Sequence, residues 1–349
     1  MTGISNNIEL IKDFIDREIL TPNLELNSCS QDGNHTGFIV SSAKRLGLES
    51  KKIGHGYYFY DENRCIGGVR EMKTSLVSSL AVSISARKHI TKQLLAASGI
   101  STPKGESFSL GKFDEANTAF RNKKGPMVVK PSSAAAGEGV KVGVSNEIEF
   151  AEAWQYAKKA SSGGGAILIE EIVTGIDVRV YVVDGKVAAA ATRIPPFVIG
   201  DGISSVSELI KSSNQQRKKH KYLGRMPIVS SDSALAAQDL TLTSIPDAGE
   251  TVVVNMTVNL HQGGTSMDVT KRLCDDLKDL AVRAAAAIPG FSVGGVDLMI
   301  SDLDSSKNAV VLETNTSANI SVHHLPGFGE QVKVSDAIVH AMKKSAINN

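Results

Sequence analysis

The sequence has few cysteines, few aromatic residues and almost no net charge, and each shortage excludes a class of protein. The three cysteines lie far apart without the spacing of a metal site, at Cys29, Cys65 and Cys274. We therefore expect a reducing, cytoplasmic location and no structural disulfide. With 5% aromatic residues and a formal net charge of +1, the chain has neither the stacking residues nor the basic field of a nucleic-acid partner.

Long apolar runs are missing as well. No apolar stretch reaches the length of a membrane span, and the N-terminus has no basic flank or apolar core of a signal peptide. We expect no membrane partner and no leader. What the chain does contain is 31 glycines in 349 residues, which is typical of a loop-rich α/β enzyme with two or three modest lobes.

Two apolar segments near the C-terminus carry three oxygen-bearing side chains. Residues 294–300 and 309–315 have strand length, and the polar residues between them predict a hairpin. Side chains alternate across a strand, so Glu313 and Asn315 share one face and Asp297 can meet them from the neighbouring strand. Two carboxylates and an amide oxygen suit Mg²⁺, although a surface hairpin with solvated acids has the same pattern.

A second segment has the composition of a phosphate-binding loop. An apolar strand ends at Lys130, a small-residue stretch follows over residues 132–139, and another strand begins at residue 140. Lys130 would supply a charge, and the backbone around Ser132, Gly137 and Gly139 could approach a phosphate closely. A flexible hairpin tip is the alternative.

A third segment, residues 166–183, predicts two strands around a turn at Thr174 and Gly175. Backbone groups in such a connector can contact an adenine edge, and a following aspartate can accept hydrogen bonds from ribose. The residues assigned to these nucleotide contacts are Glu170, Glu171, Val173 and Asp177. By the period of two, Asp177, Arg179 and Tyr181 share one face of their strand.

These segments, in this order, resemble the ATP-grasp enzymes. The resemblance covers residues 53 to 330 and is strongest to the ATP-grasp region of cyanophycin synthetases; bifunctional glutathione synthetases are more distant. The most diagnostic stretch is residues 193–202, followed by residues 206–210 and 263–270. There are also departures. The Mur-ligase-like half of cyanophycin synthetases does not follow, the N-terminal part is shorter, and Arg87 stands where those enzymes usually have aspartate, so a polymer product stays open.

The resemblance implies an ATP-grasp fold of the α/β class, with the nucleotide between two lobes. It implies an N-terminal domain over residues 1–85, a central lobe over 86–173 and a C-terminal lobe over 174–349. Lys88 resembles the first of two nucleotide lysines, with a generic surface lysine as the alternative. Arg179 or Arg193 could neutralise charge on the transferred phosphoryl group, although Arg193 could equally form a structural ion pair.

The activity implied is an ATP-dependent carboxylate–amine ligase that forms an acyl phosphate and releases ADP. ATP and Mg²⁺ are the expected cofactors, with Mn²⁺ as a substitute, and the expected substrates are amino acids or small peptides. Gly263, Gly264 and Thr265 could bind a substrate carboxylate, although a plain turn would look the same. We expect a homodimer or larger homo-oligomer. Two alternatives stay open: a subunit of a larger complex that extends a peptide or polymer, and a nucleotide-binding protein without turnover.

Hydrophobic periodicity predicts helices over residues 7–19, 83–99, 147–160 and 270–288. Residues 34–48 fit a strand or a helix equally well. The basic segment of residues 211–225 is interpreted as a solvated surface, with a lid or collar that gathers an anionic substrate as the alternative. We assign no general base among the histidines.

Overall fold

The computed structural model describes residues 3–134, 137–161 and 165–347 of the chain. Helices and strands are mixed throughout these residues. The helices are α1 (Gly3–Ile15), α2 (His35–Arg45), α3 (Ser79–Ser85), α4 (Lys88–Ala97), α5 (Phe113–Arg121), α6 (Glu147–Ala160), α7 (Val206–Arg217), α8 (Asp232–Ala236), α9 (Asp275–Ala286), α10 (Ser321–His324) and α11 (Val334–Ile347).

The strands include several hairpins joined by short turns. They are β1 (Glu49–Ile53), β2 (Gly56–Asp61), β3 (Arg64–Arg70), β4 (Lys73–Thr74), β5 (Gly105–Ser109), β6 (Met127–Pro131), β7 (Lys141–Val144), β8 (Ala166–Glu171), β9 (Ile176–Val183), β10 (Lys186–Ile194), β11 (Phe197–Ile199), β12 (Thr251–Val253), β13 (Thr265–Asp268), β14 (Val293–Ile300) and β15 (Val310–Asn315).

Two antiparallel sheets position the site. The large sheet has the strand order β13-β10-β9-β14-β15, and the small sheet has the order β5-β8-β6-β7. The β9–β10 hairpin turns at Asp184 and Gly185, whose φ angles are 49° and 71°. A two-residue turn with both φ angles positive matches the twist of the strands that it joins, and Asp-Gly is a preferred sequence for it. This turn pairs Lys186 with Val183, and the register between β9 and β10 then shifts between Val187 and Ala189.

The large sheet buries one face against helices α1 and α9. Val178, Val180 and Val182 on β9 pack in the same apolar cluster as Ile8 of α1 and Leu277 of α9. All eight residues of β9 are buried, as expected for the central strand of a covered sheet. The opposite face of β9 carries Asp177, Arg179 and Tyr181, so the polar residues of this strand are buried too.

The small sheet has its own core under helix α6. Phe150 and Trp154 of α6 pack with Val129, Ile167 and Ile169 of the sheet, and each of these five side chains is at most 1% exposed. The predicted helix over residues 147–160 is confirmed. The small sheet is therefore a separately packed unit that carries Lys130 and Glu170 on its two central strands, β6 and β8.

Two helix predictions are confirmed with shifted ends, and one ambiguity is settled. The predicted helix over residues 7–19 is α1 followed by a π-helical turn, Asp16–Leu20. Residues 34–48 form a helix, α2, because the Asn34 side chain accepts a hydrogen bond from the Gly37 amide and so caps its N-terminus. The helix predicted over residues 270–288 starts only at Asp275.

The single helix predicted over residues 83–99 is wrong. Helix α3 ends at Ser85, and α4 begins at Lys88 after Arg87, which has an extended backbone with φ −125° and ψ 92°. The Lys88 amide donates to the carbonyl of Ser132 at 3.0 Å. A tertiary hydrogen bond to the small-residue loop therefore redirects the chain at a point where local periodicity would continue the helix.

No helix among the described residues has both the length and the apolar content needed to cross a bilayer.

Two buried histidines lie between α2 and the C-terminal helices. His35 is 3% exposed and His324 is 4% exposed, and the Phe38 ring stacks on His324 with 4.2 Å between ring centroids. The Nε2 atom of His324 accepts a hydrogen bond from the Ser335 amide at 3.2 Å. Burial lowers the pKa of His35 to about 4 and, despite the nearby Asp336 carboxylate, lowers the pKa of His324 to about 4.

The free energy of unfolding should therefore fall as the pH drops from about 6.5 towards 4. In that window the unfolded chain protonates both histidines at their ordinary pKa of 6.5, whereas the folded chain keeps them neutral. Each histidine should remove up to about 1.4 kcal/mol of stability per pH unit. Urea unfolding at pH 7.5, 6 and 5 measures the slope. His35→Leu should reduce it, and the exposed His340→Gln should not. An unchanged slope in His35→Leu would contradict this assignment.

Candidate functional site

Charged side chains lie side by side on the face of the large sheet that is opposite helices α1 and α9. Asp297 on β14 is in register with Arg179 on β9 and, on its other side, with Glu313 on β15. Asp177 on β9 is in register with Arg193 on β10. Because every second residue of a strand faces the same side, these five side chains share one surface.

The charges on this face form one connected network. The carboxylate of Asp297 accepts hydrogen bonds from Nε and Nη2 of Arg179 at 2.8 and 2.7 Å, and from Nη2 of Arg193 at 2.8 Å. Arg193 also donates to both oxygens of Asp177, at 2.6 and 2.8 Å. Burial alone would raise the pKa of Asp297, but the two guanidinium groups offset burial and hold that pKa well below its usual range.

The network bears on two expectations about individual residues. The ion pair expected as one alternative for Arg193 is present. Asp177 balances the charge of Arg193 and orients its guanidinium group, and each of its carboxylate oxygens accepts one hydrogen bond. Because a carboxylate oxygen has two lone pairs, the ribose contact expected of Asp177 stays a prediction.

The expected metal ligands lie together, and their donor atoms fit Mg²⁺. Glu313 is paired with Lys88 through Oε2 at 3.0 Å, which leaves Oε1. The Oδ1 atom of Asp297 accepts one hydrogen bond, from Arg179. Because a carboxylate oxygen has two lone pairs, one lone pair of this atom is left for a metal. The Oδ1 atom of Asn315 accepts the Ser317 amide at 2.9 Å. Within the described ranges no three His, Cys, Asp or Glu side chains could hold a metal, so such a site would depend on the amide of Asn315.

Lys88 connects the small-residue loop to the large sheet. Its side-chain nitrogen donates to the Ala134 carbonyl at 3.0 Å and pairs with Glu313 at 3.0 Å. The extended backbone at Arg87 separates α3 from α4, so Lys88 is the first residue of α4 and lies beside the small-residue loop. The Lys88 side chain is 21% exposed between these two partners.

Two lysines, Lys92 and Lys130, meet at Glu170. Lys130 pairs with Glu170 at 2.6 Å, and Lys92 pairs with the other oxygen of the same carboxylate. Glu170 is 2% exposed. Two lysines share one carboxylate, so the group keeps a net charge of +1 beside the two central strands of the small sheet. The sequence interpretation missed Lys92, although Lys88 and Lys92 are spaced i,i+4 on one helix face.

The small-residue loop is held at both of its described ends. Ser132 is fully buried, its amide donates to the Ala166 carbonyl at 2.8 Å, and its hydroxyl lies 2.5 Å from Nδ1 of His89. Gly137 and Gly139 have φ angles of 79° and 73°. A Cβ on Gly139 would lie 2.6 Å from Cβ of Ala160, so only glycine fits there. Residues 135–136 of this predicted loop are outside the described residues.

The connector after β8 is placed beside the lysine pair. Glu171 is exposed and its amide donates to the Lys104 carbonyl at 2.8 Å, while Val173 is partly exposed. The Gly175 amide donates to Oδ1 of Asn7 at 2.8 Å, which ties the connector to α1. The carboxylate of Glu170 binds the two lysines, and the contacts that we expect between the connector and an adenine base stay a prediction.

The amides of Gly263 and Gly264 are not available to a substrate. They donate within a tight turn, Gly263 to the Leu260 carbonyl at 3.0 Å and Gly264 to the Asn259 carbonyl at 3.3 Å. The plain turn, expected as the alternative, is therefore present and engages both amides, while the substrate contact expected of Thr265 stays a prediction. Gly263 and Thr265 do line a cavity of about 900 Å³ beside β10.

His323 is another residue that the sequence interpretation left unassigned. It is fully buried, its ring meets Tyr181 edge-on at 5.8 Å, and neither ring nitrogen has a partner among the described residues. Burial lowers the pKa of His323 to about 3, helped by the nearby positive charge of Arg179. His323 therefore packs as a neutral ring behind the ionic network, and no sequence pattern distinguishes it from His324.

Comparison with known proteins agrees with this geometry. A family model for the ATP-grasp (A) domain of phosphoribosylglycinamide synthetase matches residues 86–194. The crystal structure of a bifunctional glutathione synthetase from Pasteurella multocida has the same fold, with a TM-score of 0.64 and 24% identity over 89% of this chain and 43% of that chain. The chain belongs to the ATP-grasp superfamily.

The relatives within this superfamily are larger proteins. Cyanophycin synthetase from a Nostoc species is 29% identical over 356 residues, which covers 95% of this chain and 38% of the relative. The glutathione biosynthesis bifunctional protein GshAB of Listeria welshimeri is 32% identical over 275 residues, covering 76% of this chain and 35% of the relative. The chain thus spans little more than a third of these curated relatives. The expected ATP-grasp fold is confirmed, and so are the expected resemblances to cyanophycin synthetases and to bifunctional glutathione synthetases.

If the lysine pair of this ATP-grasp chain contacts phosphates, Lys130→Ala should weaken ATP binding about 10-fold or more and AMP binding much less. The substitution removes the net positive charge that Lys92 and Lys130 keep over Glu170, and ATP carries more negative charge than AMP. Titration calorimetry with each nucleotide measures both affinities, with the exposed Lys124→Ala as the matched control. Equal losses for ATP and AMP would mean that Lys130 does not address the terminal phosphates.

Proposed function

We propose that the protein is an ATP-dependent ligase that joins an amino-acid or peptide carboxylate to an amine. The observation that carries the proposal is the position of Lys88, which links the small-residue loop to Glu313 on the large sheet. Lys88 thereby places a positive charge between the small-residue loop and a carboxylate of the large sheet. That arrangement suits a nucleotide triphosphate whose terminal phosphate points at the network.

The nucleotide would be held mainly by the central part of the chain. Lys88, Lys92 and Lys130 would contact phosphates, and the backbone of Ser132, Gly137 and Gly139 would approach them closely. Glu171 and Val173 lie on the connector assigned to the base. Asp297, Glu313 and Asn315 would hold Mg²⁺, or Mn²⁺ in its place, which neutralises part of the phosphate charge when bound.

The first chemical step would be attack of a substrate carboxylate oxygen on the γ-phosphorus of ATP. A new P–O bond forms, the bond between the β and γ phosphates breaks, and ADP leaves with the acyl phosphate retained. Arg179 and Arg193, fixed by Asp177 and Asp297, supply oriented donors that neutralise charge on the transferred phosphoryl group. Because these donors are already ordered, the step requires little reorganisation of the protein.

In the second step the amine attacks the acyl carbon. The C–N bond forms, the C–O bond to the phosphate breaks, inorganic phosphate leaves, and the nitrogen loses a proton to solvent or to the departing phosphate. No covalent enzyme nucleophile is needed. Closure of the loop at residues 132–139 would protect the acyl phosphate from water.

The same proposal includes the organisation of the chain. Residues 1–85 would form an N-terminal domain, residues 86–173 the central lobe and residues 174–349 the C-terminal lobe, and the protein would assemble as a homodimer or larger homo-oligomer. Gel filtration with light scattering measures the assembly.

A screen of paired amino acids and dipeptides, with ATP and Mg²⁺, tests the proposed activity through phosphate release. At least one pair should release phosphate well above the rate with either partner alone, together with an amide product seen by mass spectrometry. Phosphate release without any amide product across the panel, or no release despite measurable ATP binding, would contradict a ligase acting on free amino acids or dipeptides.

A further inference from the structure

A large cavity opens beside the strand that carries Arg193. It has a volume of about 900 Å³ and lies between the segment after α1, the β10–β11 connection and helix α7. Pro195, two residues beyond Arg193, lies in its wall, and so does Thr265, which pairs in register with Ile194. Pro195 also lines a second cavity of about 160 Å³, whose wall includes Arg193 and Asp177 of the ionic network.

One side of this cavity is apolar. Leu26, Phe197, Ile228 and Phe328 line it, and the Phe197 and Phe328 rings stack with 6.5 Å between centroids. Side chains of this type bind the aliphatic part of a ligand. The volume falls within the range of small-molecule sites, which is about 300–1,000 Å³.

The cavity wall also contains a buried cation. Arg217 is 5% exposed, although the sequence placed it in a solvated basic segment. Its Nη2 atom donates to the carbonyls of Met226 and Gly264 at 3.0 and 3.1 Å, while Nε has no partner among the described residues. Burial lowers the pKa of Arg217 to about 10, so the group stays charged at neutral pH.

No carboxylate compensates this cation. Among the described residues no Asp or Glu forms an ion pair with Arg217, whereas the equally buried Arg179 has Asp297. The acid in the cavity lining is Glu25, which is exposed and not paired with Arg217. A buried charge without a counter-ion is costly unless an anion occupies the space beside it. Lys219, also in the lining and exposed, adds positive charge at this side.

We propose that this cavity binds the amino-acid or peptide substrate and that Arg217 holds a substrate carboxylate that does not react. The aliphatic part of the substrate would lie against Phe197, Ile228 and Phe328, and its reacting group would extend towards Arg193. The assignment rests on the proposed ligase function and names the class of substrate: an amino acid or short peptide with a free carboxylate and an apolar side chain.

The test measures binding without turnover, in the full chain with Mg²⁺ and a non-hydrolysable ATP analogue. The probes are glycyl-leucine and its neutral C-terminal amide, glycyl-leucinamide, which differ only in the charge that Arg217 would hold. By titration calorimetry the wild-type protein should bind glycyl-leucine about 30-fold or more tightly than the amide. Arg217→Gln should remove that preference without changing binding of the ATP analogue, and the exposed Lys218→Gln, outside the cavity lining, should retain it.

A second variant keeps the test decisive if Arg217→Gln does not fold. Ser213→Trp leaves Arg217 intact and places an indole in the cavity, so glycyl-leucine binding should fall about 10-fold or more. Equal binding of the two probes by the wild-type protein, or a carboxylate preference that survives Arg217→Gln, would overturn the assignment. Because no turnover is needed, a carboxylate preference in a protein that forms no amide would reject the ligase function alone.

Discussion

Replacing Glu313 with alanine is expected to reduce phosphate release about 100-fold or more while the protein stays folded. Glu313 is one of two carboxylates proposed to hold Mg²⁺, and loss of a group that stabilises the transferring phosphate costs about 10²–10³ in rate. Its side chain is 28% exposed and its Lys88 partner also binds the Ala134 carbonyl. The free energy of unfolding should therefore change by less than about 1 kcal/mol.

The matched control for this variant lies on the same hairpin. Asp304→Ala removes an exposed carboxylate from the loop between β14 and β15 and should leave the rate close to wild type. Rates are measured over a series of Mg²⁺ concentrations. If Glu313→Ala turned over ATP at the wild-type rate with the same Mg²⁺ dependence, the metal assignment would be wrong.

Asp297→Ala is expected to destabilise the protein by about 3–5 kcal/mol, in contrast to Glu313→Ala. Asp297 is 1% exposed and accepts hydrogen bonds from both Arg179 and Arg193. Removing it leaves Asp177 to balance two buried guanidinium groups, and an uncompensated buried charge has a penalty of this size. Urea unfolding measures the change, with the exposed helical pair of Asp279 and Arg283 as control through Asp279→Ala.

A double variant separates charge from packing in this result. Asp297→Leu with Arg179→Met removes one buried anion and one buried cation together, and Asp177 still neutralises Arg193. Replacing a buried ion pair by apolar side chains of similar size is often close to neutral, so most of the lost stability should return. A double variant as unstable as Asp297→Ala would show that packing, and not charge balance, sets the penalty.

The parts of this site that follow from the sequence are those fixed by local periodicity. Alternation along β15 places Glu313 and Asn315 on one face, and two strand-length segments around a polar stretch predict the hairpin that brings Asp297 beside Glu313. The same period places Asp177 and Arg179 on one face of β9. The order of the segments then predicts the ATP-grasp fold, because the role of each segment can be proposed from its own residues.

What the sequence could not predict depends on contacts between distant segments. The pairing of Asp177 with Arg193 depends on the register of β9 against β10, which shifts between Val187 and Ala189, so alternation along the strands does not predict this ion pair. The helix break at Arg87 depends on the hydrogen bond from the Lys88 amide to the Ser132 carbonyl, and these two residues are 44 positions apart in the sequence. Arg217 lies in a polar, basic segment of the sequence, which predicts a solvated charge. Only the fold shows that its side chain is buried and lines a cavity.

The measurement that tests the proposed activity most directly is the identity of the nucleotide product. ATP, Mg²⁺ and hydroxylamine are supplied with a panel of amino acids and dipeptides, so that any activated carboxylate is trapped as a hydroxamate. The lysines at Glu170 and the network of Arg179, Arg193 and Asp297 are proposed to act on terminal phosphates. The account predicts one ADP and one phosphate for each hydroxamate and no AMP. AMP and pyrophosphate formed in step with the hydroxamate would contradict it.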